Sequence, residues 1–187
     1  GCATTSGKLL TYTRNNDIAN LEFLAKLPGN LGGLVKMNAG LKSWEMFNYI
    51  NSIKTKDGYI KKEDVNFSYR ETKIDTIIYE VVFNIESGFC KEKLKEFNKM
   101  RDNQPHVPSA GSCFKNPKDD FAGRLIEAVE LKGLRQGDMS FSEQHANFLV
   151  NNGAGTFEDA IYLIDLAKKK IKEEFSIDIE EEIIIYK

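Results

Sequence analysis

Residues 111–117 read GSCFKNP, which sets a hydroxyl (Ser112), a thiol (Cys113), an ammonium (Lys115) and a carboxamide (Asn116) within seven positions. Such a set can attack a carbonyl, donate a proton or hold an anion, depending on its neighbours. Acyl transfer by Ser112 calls for a histidine and a carboxylate. The chain has two histidines, His106 and His145, and neither lies in a G-x-S-x-G elbow. A reactive cysteine needs a base, a cation or a metal beside it, and the sequence shows none near Cys113. Proton donation by Ser112 is open if its alkoxide is stabilised nearby. A simple turn is the plainer reading.

Three other stretches carry groups of chemical interest. PGNLGG (28–33) offers bare backbone that can approach a phosphate or a flat ring without Cβ obstruction. Its spacing is not G-x-G-x-x-G, no strand immediately precedes it and no P-loop lysine follows, so by itself it reads as a loop of tight turns. SYRET (68–72) places Arg70 beside Tyr69. An arginine fork pairs bidentately with a carboxylate, although a solvated surface arginine is the default. The tail IDIEEEIIIYK (177–187) has three acids at the head of an apolar run, usually a solvated edge. Turned inward by strand alternation, one of them would have its pKa pushed upward.

Composition removes several classes of function. The 187 residues are 41 % apolar and 29 % charged with a formal charge of −2, so there is no basic surplus to favour nucleic acid. No apolar run approaches the ~20 residues needed to span a bilayer. Cys2, Cys90 and Cys113 are odd in number and widely spaced, which suits neither a disulfide framework nor a zinc set. Reduced thiols, no metal and a cytoplasmic location are expected.

The elements that must position these groups follow from periodicity. Leu21, Leu24 and Ala25 predict a short helix ending at Pro28. NSIKTKDGYIKK (51–62) predicts a hairpin with an Asp57-Gly58 turn, and IDTIIYEVVFNI (74–85) a central strand. KEKLKEFNKMRDNQ (91–104) predicts an amphipathic helix with Leu94, Phe97 and Met100 inward. Pro105 and Pro108 mark a domain crossing. Beyond them come a helix over 121–133 closed by Gly133, a strand in HANFLVN (145–151), a helix capped by Thr156 and a last strand in EEEIIIYK. Alternating helices and strands indicate α+β or α/β.

In order, LEFLAKLPGNLGGLVKMNAG, SYRET, PSAGSCFKNP, AGRLIEAVELKGLRQGDMSFSEQHANFLVN and a terminal E-E-I strand resemble the UDP-N-acetylenolpyruvoylglucosamine reductase family over residues 1–187. The resemblance implies an α+β fold, with part of a flavin-binding domain at 1–104 with 178–187 and a smaller α/β substrate-binding domain at 105–177. It implies a monomer that uses FAD, with NADPH as reductant, to reduce UDP-N-acetylglucosamine enolpyruvate to UDP-N-acetylmuramate. Hydride addition builds negative charge on the enolpyruvyl carboxylate, which must be stabilised before carbon is protonated.

By position, Arg70 matches the family's carboxylate-contacting arginine, Glu182 the glutamate that assists it and Ser112 the proton donor. Tyr69, Lys115, Asn116, Gln144, His145 and Asn147 match substrate-binding positions. Pro28, Gly29, Gly32, Gly33, Asn38 and Gly40 match the segment along the flavin. QGDM (136–139) and LKSWE (41–45) depart from the family's usual patterns there, and Cys113 carries no family role. The chain opens GCATT, where the family has a further flavin-binding segment, so a truncated form is expected. A non-catalytic nucleotide-sugar-binding fragment is the alternative, and another flavin oxidoreductase a third reading.

Overall fold

Thr5 starts the first helix, its hydroxyl accepting from the Lys8 amide at 3.3 Å, and α1 runs Ser6–Asn15. The computed structural model describes residues 1–186 and divides into two units, Gly1–Asp102 and Asn103 onward. The helix predicted to end at Pro28 is only a 3-10 turn at Glu22–Leu24. Leu21, Glu22, Phe23, Leu24 and Ala25 are all buried in succession, a run that no one-sided helix can satisfy.

The glycine-rich stretch is not all loop. Leu31, Leu34 and Val35 recur at helical spacing, are buried, and fold into α2 (Leu31–Lys36). Two small hairpins flank the larger sheet: β1 (Gly40–Leu41) with β2 (Trp44–Glu45), and β5 (Phe67–Ser68) with β6 (Glu71–Thr72). Between them β3 (Ile50–Thr55) and β4 (Gly58–Lys61) pair antiparallel with Thr55 opposite Gly58, so Lys56 and Asp57 form the loop and Gly58 follows it at φ 113°. The order β4-β3-β7 makes β3 the central strand. From the 74–85 run only β7 (Glu80–Phe83) is strand, and it lies at an edge. Ile74 and Ile78 are buried while Ile77 is exposed, so that run does not alternate as a strand must. The helix α3 (Lys91–Met100) buries Phe97 edge-on against Trp44, ring centroids 5.0 Å apart.

The second unit has a four-stranded antiparallel sheet in the order β8-β11-β10-β9: β8 (Ser109–Ser112), β9 (Arg135–Gln136), β10 (Met139–Phe141) and β11 (Phe148–Asn151). Its core joins Phe114, Phe141 and Leu149 to α4 (Ala122–Ala128) and α5 (Phe157–Phe175). As predicted, Thr156 caps α5. It does so through a capping box with Asp159, and Leu163, Ile164, Ala167 and Ile171 turn inward. The α4 helix stops earlier than predicted. Val129 is its C-cap, Glu130 takes the left-handed turn at φ 58°, and Gly133 instead lets the Glu143 carboxylate approach where a Cβ would stand.

The closing segment, predicted to join the first unit as residues 178–187, packs in the second. Ile179 is buried in that core and Ile183 and Ile185 pack on it. The predicted last strand is a single bridge, Phe114 opposite Glu181, and its final residue, Lys187, lies outside the described residues. No described helix is long and apolar enough to cross a membrane.

Candidate active site

In the first unit, the two small hairpins bring Asn38, Gly40, Glu45 and Arg70 together. Tyr69 and Arg70 form the two-residue turn between β5 and β6, with Arg70 at φ 57°. Its Nη1 donates to Glu45 Oε1 at 3.0 Å and to the Asn38 carbonyl at 3.3 Å, and Nη2 donates to the Gly40 carbonyl at 3.0 Å. The Tyr69 ring centroid lies 4.6 Å from Arg70 Cζ. Asn38 is 0 % exposed; its Nδ2 donates to Glu45 Oε2 and to the Ser68 carbonyl, each at 3.0 Å, and its Oδ1 accepts from the Phe47 amide. Gly40 is required here, because a Cβ would fall 2.0 Å from the Trp44 carbonyl oxygen. Asn38 and Gly40, matched by resemblance to the flavin segment, are thus engaged around Arg70.

A second guanidinium stands close by. Arg101, just past α3, is 6 % exposed, and its Nε and Nη2 have no hydrogen-bond partner among the described residues. Burial, with the charge of nearby Arg70 adding to it, brings its pKa down to about 10.

In the second unit, Ser112 ends β8 opposite Phe148 of β11. The chain then runs along the closing segment: the Lys115 amide donates to the Glu180 carbonyl, and the Glu182 amide to the Cys113 carbonyl, each at 2.8 Å. Glu182 is thereby paired with Cys113, the residue that follows Ser112. The three acids divide. Glu180 Oε2 lies 3.3 Å from Lys115 Nζ, and both oxygens of Glu181 accept from Lys168. For Glu181, burial pushes upward but the Lys168 contacts prevail, and its pKa is lowered. Glu182 is half-buried.

The remaining predicted residues hold this loop in place. Asn147, 4 % exposed, binds the backbone amide and carbonyl of Phe114 with its side chain, and its own carbonyl accepts from the Cys113 amide at 2.7 Å. Asn116 Oδ1 accepts from the Ala122 amide at the start of α4. His145 Nδ1 accepts from the Asn147 amide at 3.3 Å, and burial lowers its pKa, so the ring stays neutral. Gln144 is exposed, its amide donating to Ser142 Oγ. Cys113 is 0 % exposed, and burial first, then Glu181, pushes its thiol up to about 12.

The sequence model described as "UDP-N-acetylenolpyruvoylglucosamine reductase, C-terminal domain" matches residues 103–186. A UDP-N-acetylenolpyruvoylglucosamine reductase of Campylobacter jejuni is 47 % identical over 99 % of this chain and 72 % of its own length. The chain belongs to this reductase family. The Helicobacter hepaticus relative is 48 % identical, over 99 % of this chain and 70 % of its own. The crystal structure of UDP-N-acetylenolpyruvylglucosamine reductase from Thermus caldophilus superposes with a TM-score of 0.89 at 31 % identity, covering 100 % of this chain and 71 % of that one. The α+β fold is that of the family.

The glycine-rich stretch is in part open to solvent. Pro28, Gly29 and Gly33 are exposed, and a Cβ on Gly33 would enter open space. Gly29 holds φ 109°, and Gly32 sits so close to Cys2 that a Cβ would be 3.1 Å from Cys2 Cβ. Sequence patterns pointed to Arg70 and missed its partner. Glu45 ends LKSWE, a stretch notable in the sequence only as a departure, and an acid closing a short glycine-led hairpin was the available signal.

Proposed function

We propose that this chain reduces UDP-N-acetylglucosamine enolpyruvate to UDP-N-acetylmuramate in the cytoplasm, as a monomer, with FAD as cofactor and NADPH as reductant. The observation that supports the reading is the Glu182 amide donating to the Cys113 carbonyl, which sets Glu182 opposite the residue that follows Ser112. FAD, when bound, supplies two-electron hydride chemistry at the enolpyruvyl double bond. Of the residues matched to the flavin segment, the exposed Pro28, Gly29 and Gly33 would lie along it, while Gly32 packs on Cys2 at the start of α2.

The side chains then do the following. Arg70 pairs with the substrate carboxylate and stabilises the charge that accumulates there as hydride arrives. Glu182 matches the family's assisting glutamate and supplies a carboxyl group to the reduction. Ser112 delivers a proton to the neighbouring carbon, so that one hydride and one proton complete the lactyl ether. Lys115 and Asn116 hold the substrate from one loop, and Tyr69 contributes to its binding.

Anaerobic stopped-flow absorbance tests the assignment. Ser112→Ala should leave bleaching of the flavin band by NADPH nearly intact and block its return on adding the sugar substrate. An undiminished return would refute the role of Ser112. A colourless protein that cannot be reconstituted with FAD would favour the non-catalytic binding fragment instead.

A further inference from the structure

The geometry points to Glu45 as the positioning residue for Arg70: its carboxylate fixes the plane in which that guanidinium meets an anionic carboxylate. This rests on the carboxylate-binding reading of Arg70 given above. The two hairpins concerned are minimal. Each has two paired positions, Gly40 with Glu45 and Leu41 with Trp44 in one, Phe67 with Thr72 and Ser68 with Glu71 in the other. Ladders this short are marginal and cannot by themselves hold a turn residue still. Arg70 moreover sits at φ 57°, a conformation that non-glycine residues keep only where their surroundings impose it.

Glu45 supplies that constraint by joining the hairpins through two separate oxygens. Oε1 takes Arg70 Nη1 and Oε2 takes Asn38 Nδ2, while Asn38 also reaches the Ser68 carbonyl beside the Tyr69-Arg70 turn. The result is a closed set of bonds through Arg70, Glu45, Asn38 and Ser68. Its members are mostly buried: the side chains of Arg70 and Glu45 are 10 % and 19 % exposed. Stability alone is a weak reason to keep such a pair, because desolvation offsets much of its Coulombic attraction. Orientation is the stronger reason, since bidentate recognition of a carboxylate depends on the plane of the guanidinium.

Charge and orientation predict opposite signs, which makes the proposal testable. A negative carboxylate beside Arg70 weakens an incoming anion by Coulomb repulsion. If Glu45 acted through charge alone, Glu45→Gln would tighten binding of a carboxylate ligand. As a positioning residue it does the reverse. Glutamine keeps one acceptor for Arg70 and turns an N–H toward the Asn38 donor, so the guanidinium is released from its plane.

The experiment is calorimetry on the full 187-residue chain with UDP-N-acetylmuramate, which carries the lactyl carboxylate, and UDP-N-acetylglucosamine, which lacks it. The quantity read is the ratio of the two affinities. Wild type should favour the acid, and Arg70→Ala should abolish the preference. Glu45→Ala should cut the ratio by roughly 10-fold or more and Glu45→Gln by a smaller factor, consistent with a mispositioned charge-assisted fork. Affinity for UDP-N-acetylglucosamine should stay within about 2-fold, which a general loss of structure would not allow. A ratio unchanged or raised in both Glu45 variants, with Arg70→Ala still abolishing it, overturns the role of Glu45 alone. A wild type without preference overturns both this role and the proposed role of Arg70.

Discussion

Asn147 holds Phe114 by both ends of its carboxamide, Nδ2 donating to the Phe114 carbonyl at 2.8 Å and Oδ1 accepting from the Phe114 amide at 3.0 Å. A side chain thereby completes the backbone pairing just where β8 ends, two residues after Ser112. Asn147→Asp replaces the donor by a second acceptor facing the carbonyl and buries a charge. It should destabilise the protein by about 2–4 kcal/mol in urea melts. Asn147→Ala, which loses the bonds without adding charge, should cost less.

Cys113 should be inert. With its thiol pushed up to about 12 and no exposed surface, it is neither a thiolate nor reachable at neutral pH. Iodoacetamide at pH 8 on the native protein should label the half-buried Cys2 and Cys90 while sparing Cys113, as peptide mass mapping would show. Cys113→Ala should cost roughly 1 kcal/mol by cavity formation and leave both half-reactions intact, whereas Ser112→Ala leaves the fold intact and blocks the second.

Arg101 should destabilise the folded state. Its folded pKa, about 10, lies below the ordinary 12.5, so the unfolded chain holds the proton more tightly than the native one. The cost is present in full below pH 10 and is relieved as pH rises from there toward 12.5. Arg101→Met removes it at neutral pH and should raise stability by ~1–3 kcal/mol, on the scale of replacing buried ionic groups by apolar side chains of similar volume. The gap between variant and wild type should narrow above pH 10 in matched melts. A destabilised Arg101→Met would show that the guanidinium is compensated in the folded protein.

His145 gives a dependence at the acid end. Burial lowers its folded pKa below 6.5, so as pH falls through that value the unfolded state takes up the proton first and native stability declines. His145→Gln, which does not titrate, should flatten the difference between urea midpoints at pH 7.5 and pH 5.5. An equal slope in both proteins would assign the acid sensitivity to other groups.

What could be read from the chain was what local spacing encodes. Thr156 and Asp159 are three residues apart, and the apolar stripe of α5 follows at once, so that helix was legible in full. Residues 74–85 misled because β-branched composition says strand while Ile74 and Ile78 are buried four apart. The motifs GSCFKNP and HANFLVN drew attention to Ser112 and Asn147. They did not show that Asn147 reaches back 33 residues to a backbone. Glu45 was invisible for the same reason, its partner Arg70 lying 25 residues away. Single-sequence patterns report neighbours along the chain, and these side chains act on neighbours in space.

Gly40 has no side chain, yet its Cα lies beneath the Trp44 carbonyl and its own carbonyl takes Arg70 Nη2. In a library that varies every position, it should therefore score among the catalytic residues. A methyl group there would pry the β1–β2 crossing apart and pull an acceptor from beneath the guanidinium in the same movement. Selection on growth would see one intolerant position. A variant such as Leu41→Ala, which weakens the β1–β2 pairing opposite Trp44 without removing that carbonyl, would separate a damaged hairpin from a misaimed arginine.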